Sequence, residues 1–316
     1  MLSIARNSSR RSFKLLSLTV LAGVFLALAS VQVLWAAGDP AQQTFETPKK
    51  AVKSLIDAVR AKDMNRLLAV LGPDAKDLIS SGNENEDMDV RARFLKAARA
   101  NTLLIPGGTD KYVLNVGKNR WPFPIPIVKD GNGWRFDTAA GREEILNRRI
   151  GRNELYTIQV CRTYIQAQRE YFAKDRDGDG ILEYAQKFSS KPGQMDGLCW
   201  GDCKKGQDAP PAGPMLAAAE AGAANPQTPY HGYFYKILTA QGKNAPGGTK
   251  TYLESENMTK GFALLAYPAK YGVSGIMSFA VGQQGIVFER DFGEKTAEMA
   301  GGITSFDPDD TWSPVE

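Results

Sequence analysis

The chain has 316 residues, with 39 lysines and arginines, 35 aspartates and glutamates and a single histidine. Its hydrophobic content of 43% is typical of a globular protein and excludes a disordered one. Residues 1–37 contain no acidic residue and four cations, Arg6, Arg10, Arg11 and Lys14. Without this segment the cationic and acidic side chains are equal in number, so nucleic acid is not an expected partner.

Residues 1–37 have the pattern of an export signal. A basic start precedes the apolar run LLSLTVLAGVFLALASVQVLWAA, which ends in small residues at 36–38. The paired arginines are typical of the twin-arginine export route, and an ordinary secretory signal is the alternative. The run also has the roughly 20 apolar residues that span a bilayer, so retention as an anchor is the alternative to cleavage. We therefore expect a periplasmic or extracellular protein that contacts a membrane only through an uncleaved signal.

Residues 38–44 indicate a short tether, and residues 45–142 predict a first folded unit. Thr47 suits an N-cap and Pro48 suits the first position of a helix, so a helix is predicted to begin there. Further helical stretches precede the strand-like runs KYVLNVG, WPFPIPIVK and GWRFD, the last two joined by the hairpin signature DGNG. Paired helices followed by a curved antiparallel sheet resemble the nuclear-transport-factor-2-like, or cystatin-like, α+β cone.

Catalysis in this first unit would need a carboxylate, because the unit contains no histidine. Asp63 and Asp137 are the candidates, and a solvated surface position is the favoured interpretation of both.

Residues 143–316 predict a second unit, in which a long helix packs against an antiparallel sheet. The helical pattern runs from Glu143 to Lys174, with an interruption at Gly151 left open. Its apolar stripe consists of Leu155, Ile158, Cys161, Ile165 and Phe172. The remainder is rich in strand-like runs and resembles a pilin or pseudopilin globular domain, although the apolar N-terminal helix of those proteins is not joined directly to it. The predicted fold class is therefore α+β in both units.

A string of alternating aspartates occupies residues 175–186, DRDGDGILEYAQ. Calcium takes six to eight oxygen ligands around a tight turn, and alternating aspartates in a curled loop direct their side chains to one point. Gly180 permits the sharp bend that such a loop needs. The predicted ligands are the carboxylates of Asp175, Asp177, Asp179 and Glu183 and the carbonyl of Ile181.

The twelfth position of this loop departs from helix–loop–helix calcium sites. It holds Gln186, where those sites use a bidentate glutamate, so a shorter loop that relies on Glu183 or on a remote acid such as Asp196 is expected. The alternative is a polar turn that ends the preceding helix. Repulsion among the clustered carboxylates favours a bound cation, and we expect calcium in a structural role.

The three cysteines allow at most one internal disulfide. Cys199 and Cys203 flank the turn-like WGD and are the candidate pair. Export would place them where a disulfide can persist. Cys161 lies in a helical pattern and is predicted to be a small buried residue. A zinc site lacks partners, because the only histidine, His231, is remote in sequence.

Several strings carry a family resemblance: WPFPIPIVKDGNGWRFD, DGDGILEYAQKF, PYHGYFYKILTAQGKNAPGG and GFALLAYPAKYGVSGIMSF. Together they resemble the bacterial exported proteins grouped as domain of unknown function family 2950, from about residue 45 to the C-terminus. The resemblance implies an exported protein of unassigned activity and provides no catalytic residue. The stretch GLCWGDC departs from the family pattern.

Three functions follow as expectations from these features. The first is a non-catalytic binding or scaffold protein that holds a protein or small molecule and is stabilised by calcium. The second is an envelope hydrolase that uses His231 with a carboxylate, although a structural role for a lone histidine is favoured. The third is a pseudopilin-like assembly subunit. No G-x-S-x-G, H-E-x-x-H or Walker motif occurs, so the chain leans away from an enzyme.

Overall fold

The computed structural model describes residues 41–80, 82–191, 193–200 and 229–315. These residues form an α+β fold in which the neighbouring strands of the two large sheets pair antiparallel. Within these ranges, no helix combines the length and apolarity needed to cross a membrane. The predicted export signal, residues 1–37, lies outside them.

The first half contains four helices followed by a sheet. The helices are α1 (Pro48–Ala61), α2 (Met64–Leu71), α3 (Lys76–Ile79) and α4 (Glu84–Ala100). The strands are β1 (Thr102–Pro106), β2 (Lys111–Val116), β3 (Trp121–Pro122), β4 (Ile127–Asp130) and β5 (Gly133–Phe136). They are ordered β1-β2-β4-β5, and β3 also pairs with β2.

Local signals set several of these boundaries. The Thr47 side chain accepts a hydrogen bond from the Lys50 amide at 3.2 Å, and Pro48 begins α1, so the predicted helix start is confirmed. The DGNG hairpin is also confirmed, with Asp130 opposite Gly133. The run WPFPIPIVK forms two short strands rather than one, because its prolines supply no amide hydrogen to a ladder.

Helix α5 (Thr138–Phe172) links the two halves. It has 35 residues, which makes it about 52 Å long at 1.5 Å per residue, and it continues through Gly151. It begins before the predicted start, because Asp137 caps it by accepting a hydrogen bond from the Ala140 amide at 3.2 Å. The predicted boundary between residues 142 and 143 thus falls inside α5.

The buried face of α5 differs from the predicted stripe. Leu155 is 69% exposed, so its assignment to the stripe is wrong, whereas Cys161 and Ile165 are buried as predicted. The side chains that face the core in the second half are Val160, Cys161, Tyr164, Ile165, Ala167, Gln168 and Tyr171. The core face includes two tyrosines and a glutamine, which a search for aliphatic periodicity overlooks.

The second half is built on a five-stranded sheet. Its strands are β6 (Tyr233–Leu238), β11 (Ala263–Pro268), β12 (Met277–Gly282), β13 (Val287–Asp291) and β14 (Ser313–Pro314), and helix α6 (Thr296–Gly302) lies between the last two in sequence. The strands are ordered β14-β13-β12-β11-β6. Two small ribbons flank it, β7 (Ala240–Gln241) with β8 (Lys250–Thr251) and β9 (Leu253–Glu254) with β10 (Asn257–Met258).

Helices cover both faces of this second sheet. Tyr235 of β6 lies 3.3 Å from Thr157 of α5, measured between their hydroxyl oxygens. The next residue, Lys236, donates a hydrogen bond to the carbonyl of Ile303, just after α6, at 2.7 Å. Since successive residues of a strand point to opposite faces, α5 and α6 lie on opposite sides of the sheet.

Glycine at position 141 is required by close packing between α5 and the segment before β4. A Cβ atom there would lie 2.6 Å from Ile125 Cγ1 and 3.0 Å from Ile125 Cα. Gly151, on the same helix, has nothing within 4 Å of the corresponding point.

We therefore expect Gly141→Ala to lower the free energy of unfolding by about 1–3 kcal/mol, because overpacking outweighs the better helix propensity of alanine. Gly151→Ala is the matched control and should raise it by up to about 1 kcal/mol. Urea unfolding followed by circular dichroism measures both. Equal effects of the two substitutions would contradict the packing argument.

Candidate functional site: an apolar pocket and an aspartate loop

A cavity of about 580 Å³ lies in the first half of the chain. Its volume falls in the range of roughly 300–1,000 Å³ that is typical of ligand pockets. Helices α1, α2 and α4, strand β2, the segment around β3 and the start of α5 all contribute apolar walls. These include Leu55, Leu67, Phe94, Val116, Phe123 and Ile145. Phe123 is fixed in the wall by a tilted ring contact with Phe94, at 5.7 Å between ring centroids, and by an edge contact with Phe136, at 6.2 Å.

Exposed apolar side chains mark the mouth of this pocket. Val90 of α4 is 55% exposed and Trp121 of β3 is 47% exposed, and both belong to the pocket lining. The guanidinium of Arg148, on α5, lies 5.7 Å from the centroid of the Trp121 ring and donates a hydrogen bond to the Pro122 carbonyl at 2.8 Å. These two contacts of Arg148 hold Trp121 at the mouth of the pocket.

Two carboxylates on the pocket rim are paired with arginines. Asp77 receives two hydrogen bonds from Arg142, one of them 2.8 Å long, and this contact holds the pKa of Asp77 below its ordinary value. Asp87 lies 3.9 Å from the guanidinium of Arg91, which also donates to the Ile79 carbonyl at 3.0 Å. The Asp77–Arg142 pair connects α3 to α5, and the hydrogen bond from Arg91 to Ile79 connects α4 to α3. Together they hold the segment around α3 that forms one side of the pocket.

A third rim cation, Arg93, lies on the exposed side of α4. Across the ranges that the structure describes, no hydrogen-bond acceptor or carboxylate pairs with its guanidinium. The sequence alone does not predict this pocket, because its walls come from segments between residues 55 and 145 that only folding brings together. The aromatic string WPF was the one local signal.

The aspartate loop follows the end of α5. Asp175 organises its curl, because its two carboxylate oxygens accept hydrogen bonds from the amides of Gly178 at 2.8 Å and Gly180 at 2.9 Å. These bonds lower the pKa of Asp175. Gly180 has φ +85°, a conformation that favours glycine. One carboxylate oxygen each of Asp175, Asp177 and Asp179 lies within 4.8 Å of the others, and all three residues are exposed.

The remaining predicted ligands join the loop to the β9–β10 ribbon. Asp179 accepts hydrogen bonds from the Ile181 amide at 2.7 Å and from Asn257 Nδ2 at 2.8 Å. Glu183 is outside the group of three, and its carboxylate accepts a hydrogen bond from the Met258 amide at 3.2 Å. Burial raises the pKa of Glu183, and repulsion from the three aspartates raises it further.

Gln186, at the twelfth position of the loop, and Asp196, the remote acid considered in its place, both bind other partners. Gln186 donates a hydrogen bond to the Glu256 carbonyl at 2.6 Å. Asp196 is ion-paired with Lys187 and accepts a hydrogen bond from the Lys191 amide at 3.1 Å. The arrangement thus offers three clustered carboxylates, and Glu183 is the fourth predicted carboxylate ligand, outside the cluster.

Comparison with known proteins assigns a family. Residues 42–315 match the family model described as Protein of unknown function (DUF2950). The chain belongs to this family. The match covers both the pocket and the aspartate loop and confirms the resemblance carried by the sequence strings. No curated protein and no solved structure matches the chain.

The histidine of this DUF2950 protein is a turn residue. Tyr230 and Tyr233 exchange two backbone hydrogen bonds of 3.0 Å, and the two residues between them, His231 and Gly232, have φ +46° and +77°, as a two-residue hairpin turn requires. The exposed imidazole stacks on Tyr156 with ring centroids 4.3 Å apart. Among the described residues no carboxylate hydrogen-bonds to it, so the geometry supplies no acid–base pair for the hydrolase alternative.

The two carboxylates weighed for catalysis in the first half both cap helices. Asp63 accepts a hydrogen bond from the Arg66 amide at 3.0 Å at the start of α2, and Asp137 caps α5 as described above. Each aspartate therefore has a structural role as a helix cap, and is not merely a solvated surface residue.

Two of the three cysteines of the DUF2950 chain lie within the described residues, and both are buried. Cys161 is free and fully buried, as predicted, and burial raises the pKa of its thiol to about 12. Cys199 is also buried, but Cys203 lies outside the described residues. The disulfide between Cys199 and Cys203 therefore stays a prediction.

The roles of Asp175 and Asp177 can be separated by melting in the presence of a chelator. Asp175→Ala removes the acceptor of two backbone amides, and we expect the melting temperature to fall by roughly a few degrees. Asp177→Ala removes one of the clustered negative charges, so it should leave the melting temperature unchanged or slightly raised. Scanning calorimetry in EDTA measures both, and a matching decrease in the two variants would argue against Asp175 as the organiser of the loop.

Proposed function

We propose that this DUF2950 protein is an exported, non-catalytic binding protein of the bacterial cell envelope that takes a small apolar or amphiphilic molecule. The single observation that carries the proposal is the apolar pocket of about 580 Å³ with its exposed mouth at Val90 and Trp121. Exposed apolar side chains beside a pocket of this size are the pattern of a binding site. The basic and apolar pattern of residues 1–37 supports a location outside the cytoplasm.

The chemistry of the lining supports binding rather than catalysis. The titratable side chains among the described lining residues are Asp77, Asp87, Arg91 and Arg93. Both aspartates are committed to arginines, and a carboxylate held in an ion pair is a weak base. The apolar walls would gain free energy by removing a ligand's hydrocarbon surface from water.

The likeness of the two halves to a nuclear-transport-factor-2-like cone and to a pseudopilin domain is part of this proposal. Four helices that precede an antiparallel sheet support the first likeness, and α5 lying on a sheet supports the second. Fold alone assigns no function, so the binding proposal rests on the pocket.

Blocking the mouth of the pocket tests the binding proposal. Nile red, a neutral apolar dye, should bind the mature protein saturably with enhanced fluorescence. Val90→Trp should weaken binding about tenfold or more, because a large side chain then fills the entrance. Met88→Trp is the matched control: Met88 is 40% exposed on the same helix but is not in the pocket lining. If Nile red fails to bind the wild-type protein, or if both variants bind it like wild type, the pocket is not a binding site.

We propose, second, that the aspartate loop holds a structural calcium ion. The three carboxylates within 4.8 Å of one another carry this proposal, because oxygen donors of this charge suit a hard cation. The side chains of Asp175, Asp177 and Asp179, with Glu183 and the Ile181 carbonyl, would hold the ion. A cation there would offset the repulsion that raises the pKa of Glu183. Its role would be to fix the end of α5 against the β9–β10 ribbon.

Calcium titration with calorimetry and melting tests the second proposal. With a Kd of the order of 10⁻⁴ to 10⁻³ M, about 10 mM calcium should stabilise the fold by about 1.4–2.7 kcal/mol and raise the melting temperature by a few degrees. Asp177→Ala should abolish both the binding heat and the melting shift. Magnesium at the same concentration controls for a general effect of divalent ions. The proposal fails if millimolar calcium produces neither heat nor a shift in the wild-type protein.

A further inference from the structure

We infer that the ligand of the pocket is a single-chain amphiphile with an anionic head group, whose apolar chain enters the pocket and whose head group binds Arg93. This inference rests on the proposed function and adds the chemical class of the ligand. It follows from the charges at the mouth and from the position of Arg93 relative to the apolar entrance.

The charges of the rim leave one cation without a partner. Asp77 is paired with Arg142 and Asp87 with Arg91, so each carboxylate is neutralised by a guanidinium. In the described part of the chain, Arg93 has no corresponding acid. The charged lining residues balance, with two aspartates and two arginines, but Asp77 is paired with Arg142 from outside the lining, so within the described ranges the guanidinium of Arg93 is left unpaired. Its charge attracts an anion and repels a cationic head group.

The sequence spacing of α4 places Arg93 beside the entrance. Val90, Phe94 and Ala97 belong to the pocket lining and recur at the spacing of one helix face. Arg93 follows Val90 by three residues, so the two side chains are neighbours on the helix surface. A ligand whose hydrocarbon chain passes Val90 thus meets a guanidinium where the apolar wall ends.

The chemistry of this cation selects the head group. A guanidinium presents paired N–H donors that match a carboxylate or phosphate, and its charge remains at any physiological pH. A wholly apolar ligand would make no use of the unpaired charge. The apolar mouth next to a free guanidinium is complementary to a molecule that is apolar along its length and anionic at one end.

Competition against Nile red with matched amphiphiles provides the test. Dodecanoate, dodecyl phosphate, dodecanol and dodecyltrimethylammonium are titrated below their aggregation concentrations. We expect the two anions to displace the dye about tenfold more tightly than dodecanol, and the cation to displace it least. Arg93→Gln should remove the preference for the anions, and Arg93→Lys should retain part of it. Arg99→Gln, an exposed arginine of the same helix outside the pocket lining, should leave the preference intact.

The possible results distinguish a failure of this inference from a failure of the proposed binding function. If Nile red binds but the anions compete no better than dodecanol, the ligand class is wrong and the binding proposal stands. If the anions are preferred and Arg93→Gln has no effect, the assignment of Arg93 is overturned. If the protein binds phosphatidylglycerol vesicles but not the monomeric anions, the pocket does not take single-chain ligands. If no probe binds, the proposed function fails and this inference fails with it.

Discussion

The fold depends on helix α5 being continuous and closely packed at both of its ends. Gly141 allows the helix to approach Ile125 in the first half, and the segment Val160–Tyr171 fills the core of the second. Between them, Glu154 accepts hydrogen bonds from the amides of Ile276 and Met277 at 2.9 and 3.0 Å, which ties the helix to the start of β12. A break in α5 would separate the pocket wall that contains Ile145 from the sheet on which the second half is built.

The pocket exists because α4 covers the first half incompletely. Only Ala98 of this helix is buried, whereas Phe94 and Ala97 line the cavity and Val90 lies at its mouth. Protein cores are normally packed to high density, and unfilled apolar space lowers stability. Contacts at the rim, from Arg142 to Asp77 and from Arg91 to the Ile79 carbonyl, join the surrounding segments. An apolar ligand would supply the contacts that the side chains leave unmade, which is why the pocket and not a polar cluster carries the proposed function.

The features that the sequence predicted correctly are local ones. Thr47 before Pro48 encodes a helix start within four residues, and DGNG encodes a hairpin in the same way. The three aspartates converge because alternation and a glycine bend are properties of one short loop. The pocket could not be predicted, since it requires the relative placement of segments up to 90 residues apart. Helical periodicity alone assigned Leu155 to the core. It is exposed instead, because the tyrosines of α5 pack into the core and a different face of the helix is buried.

The two candidate sites would act on different properties of the molecule. Ile145 and Asp175 are 30 residues apart, and the intervening helix separates them by about 40 Å. Coupling over such a distance needs an element with two discrete arrangements that both sites bias. Close packing at Gly141 and the two hydrogen bonds accepted by Glu154 both oppose a second arrangement of helix α5. A cation at the aspartate loop would thus stabilise the end of α5 and the whole fold without changing the affinity of the pocket for its ligand.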